Sequence, residues 1–272
     1  MRRGRTTSVW RREPPPIAAV AIGIGASLFF IAVWGWLTRD GGPVSSLLMP
    51  SPQAFMDALW RLLRRPYLGN PFYVHILSSL GVVLGGWLLA AIVGLPLGIA
   101  MAWWQRLRWL VFPVFQLVRP VPPLAWIPLA IIWLGIGPGA RMSVVFVAAL
   151  VPWVMNSMQA VASIDPVLVQ AARTLGASDR VVLSRVVART ALPTLIAGAR
   201  IALGNAWTTL IAAELLAASS GLGYVALNAS RTLDTDILLV AMATIGVLGA
   251  LLSFMMQIVA RVLAPWSRRE AA

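Results

Sequence analysis

The feature that most limits what this chain can fold into is a set of long stretches without one formally charged side chain. Residues 17–37, 142–164 and 237–260 are such stretches, of 21, 23 and 24 residues, and 66–105 carries nothing titratable near neutrality except His75. About 20 apolar residues in a helix cross the hydrocarbon core of a bilayer. A helix is also the form that satisfies every backbone donor and acceptor inside its own segment, which lipid demands. With 59% hydrophobic and 11% charged residues over 272 positions, the chain is an all-α polytopic membrane protein.

Taken in order, residues 1–16 form an Arg-rich tail and 17–37 a first span. That span ends in Trp34-Gly35-Trp36 with no small-x-small cleavage site, so it reads as uncleaved. Residues 38–73 form an outer amphipathic segment. Ser51-Pro52 opens a helix with Phe55, Met56, Leu59, Trp60 and Leu63 at helical spacing, which lies along the outer surface or packs on the bundle. Residues 74–260 form a core of five further spans. The second, about 74–103, carries Gly81-x3-Gly85 and Gly94-x3-Gly98, spacings that allow close helix approach. A two-arginine turn at 105–109 follows. The third span is broken by Pro113, Pro120, Pro122, Pro123 and Pro128, with its regular part at 124–134. Gly137–Arg141 reads as an outer turn. The fourth span is 142–164, kinked at Pro152, with Asn156 and Gln159 placed to bond across helices. The fifth runs from Pro193 to about 216, an outer loop covers 217–236, and the sixth span is followed by a basic tail at 261–272.

All 22 basic residues are arginines. With the amino terminus inside, fourteen fall on inner segments and six on outer ones, while Arg119 and Arg200 lie in spans. This bias predicts six spans with both termini cytoplasmic, and it puts the insert at 165–193 in the cytoplasm. It also accounts for the net charge of +13 without nucleic acid, because the arginines flank apolar spans. The absence of Cys excludes a disulfide framework, and a single His excludes a multi-His metal centre.

The insert has the grammar of two short helices around a glycine. Asp165 N-caps a helix with Pro166 at its first position, the helix runs 167–175 and stops at Gly176, and Ser178 caps a second helix. Such an insert either docks a partner or is a plain polar loop, and the grammar fits both. Arg119 likewise has two readings: an attractor for an anion inside an apolar region, or an anchor to headgroups at the inner rim. Pro123 and Trp126 stand beside it at the break. Asn205, Trp207, Thr208 and Thr209 lie mid-span, with Glu214 near the outer end of the same span.

No P-loop, HExxH, GxSxG or dinucleotide fingerprint occurs. A chain without an ATP site, and with few carboxylates inside its spans, reads as a passive pathway driven by a partner. An ion-coupled carrier would need more intramembrane carboxylates or a visible repeat. A membrane enzyme would need a catalytic cluster.

The insert resembles the coupling motif of permease subunits of binding-protein-dependent ABC importers: Glu-Ala-Ala, three residues, Gly, then an apolar-Pro end. Here it stands as Gln170-Ala171-Ala172, then Leu175-Gly176, closing at Leu192-Pro193. Gln170 replaces Glu, and Arg189 stands where a proline is common. The resemblance covers about 51–266. The runs Arg119–Gly137 and Ala199–Tyr224, with Ala264-Pro265-Trp266, resemble the subgroup importing taurine, other sulfonates, nitrate and related small anions, and are most similar to taurine permeases. Nitrate, bicarbonate and pyrimidine-precursor permeases remain alternatives. The resemblance implies the type I importer permease fold, a permease homodimer in the bacterial inner membrane, two cytoplasmic ATP-binding subunits, and a periplasmic or lipid-anchored substrate-binding protein. It implies no catalysis and no cofactor in this chain, with ATP and Mg held by the partner ATPase. Gln170, Ala171, Ala172, Leu175, Gly176 and Pro193 would couple to that ATPase. Arg119, Pro123, Trp126, Asn205, Trp207, Thr208, Thr209 and Glu214 would line the pathway.

Overall fold

Helix α3 is the axis on which the rest is built. The computed structural model describes residues 16–268 apart from positions 40 and 46, so most of the amino-terminal tail and the end of the carboxyl tail lie outside the described residues. In chain order the helices are α1 (Pro16–Leu37), α2 (Pro52–Arg64), α3 (Phe72–Trp103), α4 (Gln105–Val118), α5 (Ile127–Leu134), α6 (Pro138–Ala162), α7 (Pro166–Thr174), α8 (Asp179–Val181), α9 (Ala188–Ala217), α10 (Leu222–Thr232) and α11 (Thr235–Leu263). Among the described residues, five helices are long and apolar enough to cross a membrane. The sixth candidate is the pair formed by α4 and Pro123–Leu134, bent by 87°.

Helix α3 buries a single stripe, from His75, Ser79 and Val82 through Gly86, Ala90 and Gly94 to Gly98 and Met101. The steps of three and four put these positions on one face. That face meets α6, and α6 in turn packs along α9. A Cβ on Gly86 would sit 2.7 Å from Val145 Cγ1, and one on Gly94 would sit 2.8 Å from Trp153 Cβ. Lipid offers no hydrophobic drive between apolar helices, so close contact between small residues is what holds such a pair. Gly94-x3-Gly98 is therefore a packing motif. In the other pair, Gly85 faces Met142 while Gly81 meets nothing within 4 Å. The indole of Trp87 packs on Trp153 at 5.6 Å, and its N–H donates to the Ala199 carbonyl at 3.1 Å, tying α3 to α9.

Helix α2 is capped by the Ser51 hydroxyl, which accepts from the Ala54 amide at 3.2 Å. It buries Ala58 and Leu62, packs on α11, and pairs Arg61 with Asp236. Of the two positions open to it from the sequence, it takes the one against the bundle. Helix α1 packs on α2 through Trp34 on Phe55, and the Trp34 indole donates to the Pro50 carbonyl just before that helix at 3.0 Å.

Several boundaries differ from the sequence expectation. Residues 105–109 are the first turn of α4. Pro138–Arg141 form the first turn of α6, with Arg141 buried. Proline is favoured at the first helical position, and this start continues straight into an apolar run. Asn156 does not reach across helices: its amide donates to the Pro152 carbonyl one turn back at 2.7 Å, and its Cβ packs where Gly198 lacks one. The loop expected at 217–236 contains α10. Pro193 does not begin the fifth span. The chain is helical from Asp179 to Leu216, with a π-helical stretch at Val182–Val187, and Pro193 lies inside α9. Ser178 makes no side-chain capping bond at the start of that helix.

Candidate functional site

The bend between α4 and α5 opens a cavity of about 440 Å³. Its walls are the second half of α4, the Pro-rich break, the middle of α6 and one residue of α9. Most of the lining is valine and other apolar side chains. The polar side chains are Arg119 and Trp126 at the break and Asn205 on α9, with Pro123 beside them, and no carboxylate is among the lining residues. Pro120, Pro122 and Pro123 remove amide donors and keep the chain from continuing α4, which is why the arginine and the indole stand at the mouth of the bend. The indole N–H of Trp126 is shielded from solvent and has no hydrogen-bond partner. A cationic fork and the Asn205 amide on apolar walls suit a small ligand that brings its own acceptors.

Four of the expected pathway residues thus meet in one cavity. The other four do not. The Trp207 indole turns toward α11, where a Cβ on Gly249 would come within 2.8 Å of its nitrogen. The Thr208 hydroxyl is exposed but bonds back to the Gly204 and Asn205 carbonyls, and Thr209 is half-buried one position on. Glu214 is fully enclosed.

Glu214 belongs instead to a buried polar knot that the sequence reading did not assemble. Its carboxylate accepts from the Ser79 hydroxyl at 2.7 Å and from the Gly223 amide at 2.9 Å, and Arg141 Nη1 lies 3.4 Å away. Ser79 Oγ also accepts from the Leu222 amide at 3.0 Å. The Gly221 amide donates to His75 Nδ1 at 3.2 Å, which leaves the imidazole proton on Nε2, facing the Tyr67 carbonyl at 3.1 Å. The orphan amides that open α10 are in this way satisfied from α3 and α9, with a carboxylate at the positive end of the helix. Arg141 also donates to the Ser220 carbonyl at 2.7 Å. Gly221 is at φ +122°, and a Cβ there would collide with the Glu214 carboxylate. A signal was present: His75 and Ser79 are four residues apart in an uncharged span, and Glu214 is an acid at the end of another. Their pairing across 135 positions was not readable. Outside the spans, burial first and the Asp234 carboxylate second push the Tyr67 phenol above its ordinary range.

At the opposite end of the bundle, Asp165 caps α7 by accepting from the Val167 amide at 2.9 Å. The helix closes with paired bonds, Gly176 amide to Arg173 carbonyl at 2.9 Å and Ala177 amide to Ala172 carbonyl at 3.1 Å, with Gly176 at φ +80°. This is the Schellman closure, which only a residue tolerant of positive φ fits without strain. Ala172 and Val169 turn toward a small core with Val182, Val187, Ala191, Ile164 and Trp103. Gln170 and Ala171 face outward, as do Val167 and Leu168. Leu175 is 88% exposed. The helix is therefore fastened to the ends of α3, α6 and α9 on one side and presents an apolar face on the other. Pro193 lies inside α9, between Ala191 and Leu195 of the same core.

A six-span helical bundle with a capped, outward-facing helix between its fourth and fifth spans defines a type I importer permease fold. Against solved structures, the chain matches the MetNI methionine ABC transporter in an inward-facing form, with a TM-score of 0.63 at 20% identity, over 76% of this chain and 98% of that one. The chain belongs to the family described as binding-protein-dependent transport system inner membrane component, which matches residues 94–269. It is 35% identical over 248 residues to the taurine transport system permease protein TauC of Escherichia coli strain K12, covering 91% of this chain and 90% of that protein. It is also 35% identical over 238 residues to the putative aliphatic sulfonates transport permease protein SsuC of the same organism, covering 87% and 88%. These relatives are permease subunits, and this chain is a non-catalytic, multi-pass component of the inner membrane.

Proposed function

We propose that this chain is the permease subunit of an ABC importer for a small organosulfonate anion, with taurine as its substrate. The observation that carries the reading is the cavity at the bend, where Arg119 and Asn205 meet on apolar walls without a carboxylate. A sulfonate brings three acceptor oxygens and one negative charge, which such a site neutralises and orients. Similarity to a taurine permease and to an aliphatic sulfonate permease supports the same class. Trp207, Thr208 and Thr209 fall outside the cavity in this conformation, and Glu214 has a structural role.

Two copies would enclose the pathway, two cytoplasmic ATPases holding ATP and Mg would take the exposed faces of the two α7 helices, and a binding protein would deliver substrate on the far side. Both termini would then be cytoplasmic, as the arginine bias predicts. The insert would act as a lever. Gln170, Ala171 and Leu175 face the motor, while Ala172 and the Gly176 closure hold the helix rigidly to the spans that move.

The test is the reconstituted importer with its ATPase and binding protein. Taurine is expected to stimulate ATP hydrolysis and uptake above alkanesulfonates, nitrate and bicarbonate. Arg119→Gln should cut uptake at least about tenfold, the equivalent of losing one charged hydrogen bond, while leaving assembly with the ATPase intact. Uptake of nitrate or bicarbonate in preference to any sulfonate would overturn the substrate class. Unchanged uptake by the Arg119 variant would remove the cavity from the pathway.

A further inference from the structure

A second concavity lies at the end of the bundle that carries the insert, and nothing in the transport reading uses it. It is a groove of about 560 Å³ between the last turns of α3 and the first turns of α9. Its walls are leucine, isoleucine, valine, alanine and proline, and the only side chains in it with a hydrogen-bonding atom are Trp103 and Trp104. The groove forms where both helices depart from regular geometry: α3 has Pro96 in its interior, and the stretch leading into α9 is π-helical at Leu183 and Val187. A water-soluble ligand would find nothing there to fix it.

The two tryptophans also line a neighbouring concavity over the α3–α4 corner, together with Gln105 and Arg106. The chain turns there at Trp104, whose extended backbone ends α3. The Arg106 side chain is exposed, and it has no carboxylate within ion-pair distance among the described residues. An apolar slot, two tryptophans at its lip and a free guanidinium just beyond follow the order of a bilayer leaflet: acyl chain, interface, phosphate.

We infer that this corner is a binding site for one anionic phospholipid, its acyl chain in the α3–α9 groove and its phosphate on Arg106. The lone guanidinium favours a lipid of net negative charge, and the apolar lining of the groove calls for an acyl chain that a free headgroup lacks. The seated chain touches Leu183 and Val187, so the lipid fills the joint between the insert and the fifth span.

The site can be tested on the purified permease chain in mixed micelles of phosphatidylglycerol and phosphatidylcholine, with retained lipid counted by native mass spectrometry. One phosphatidylglycerol per chain should be retained, in about fivefold preference over phosphatidylcholine, the selectivity one interfacial arginine supplies. Arg106→Gln should bring that preference close to one while lipid is still held. Ala188→Phe, on the exposed lip of the groove, should release both lipids. Glycerophosphoglycerol, the headgroup without chains, should not displace the lipid from the unmodified protein, a measurement that does not depend on any variant folding. The inference is overturned if the unmodified chain retains no lipid or shows no preference, if the headgroup alone displaces the lipid, if Arg106→Gln keeps the preference, or if Ala188→Phe keeps the lipid. None of these outcomes bears on which substrate is carried.

Discussion

Replacing Glu214 by Gln tests the buried knot most directly, because it keeps the shape and removes only the charge. Side-chain exposure is 0% at Glu214 and 2% at Arg141. The new amide can still accept from the Gly223 N–H. Its NH2 group must then face Ser79 or Arg141, and beside Arg141 it sets a donor against a donor at about the present 3.4 Å spacing. The guanidinium keeps the Ser220 carbonyl, but it loses its counter-charge, and its Nε already lacks a partner. Leaving one member of a buried pair uncompensated costs about 3–5 kcal/mol, and the single long contact here argues for the lower end. At about 2–4 °C per kcal/mol for a chain of this size, the midpoint should fall by roughly 6–12 °C. The assay is the loss of the monodisperse peak on size-exclusion chromatography after heating in a fixed detergent. Removing both charges, as Arg141→Met with Glu214→Leu, should cost clearly less than the sum of the two single changes, because neither charge is then stranded. A midpoint within about 2 °C of the unmodified protein for Glu214→Gln, or additivity in the double variant, would refute the reasoning.

The insert offers a cleaner separation of function from stability. Leu175→Glu alters a side chain that is 88% exposed, so stability should change by less than about 0.5 kcal/mol, while co-purification with the ATPase and stimulated hydrolysis are lost. Gly176→Pro cannot adopt φ +80°, and Ala172→Glu pushes a carboxylate toward Val182 and Val187. Both should abolish coupled hydrolysis with the protein still inserted, and hydrolysis surviving both would sink the lever. On α3, Gly98→Leu places a Cβ against the Val154 carbonyl and forces α3 from α6. Overpacking of this kind costs about 1–3 kcal/mol, and the yield of folded protein in detergent extracts should fall accordingly.

How far the sequence reached can be seen at particular residues. The α7 cap and closure were legible because Asp165, Pro166 and Gly176 act through backbone groups within a few positions of themselves, and the geometry repeats that local chemistry. The extension of the fifth span through Pro193 was not legible. A proline removes one amide and is a plausible boundary, yet α9 carries it with a π-helical stretch upstream that packs Val182 and Val187 into a core shared with α3 and α6. The helix α10 was hidden for a similar reason. Its opening amides are satisfied by His75, Ser79 and Glu214, which belong to other helices, so no local capping residue announces it.

The sequence by itself determined the class of the protein. Uncharged runs of bilayer length leave only membrane helices, arginine flanks predict their sidedness, and the Gln170–Gly176 motif points to a partner that supplies energy. Tertiary structure alone decided which polar residues meet in a cavity and which are spent on the fold. Arg119, Trp126 and Asn205 converge because three prolines bend one span against two others. Arg141 and Glu214 are equally charged and equally isolated in the sequence, yet they are spent on each other and on α10. In a low-dielectric interior a charge must find a partner wherever the packing brings one. That partner is fixed by the register of helices far apart in the chain, and no local pattern carries it.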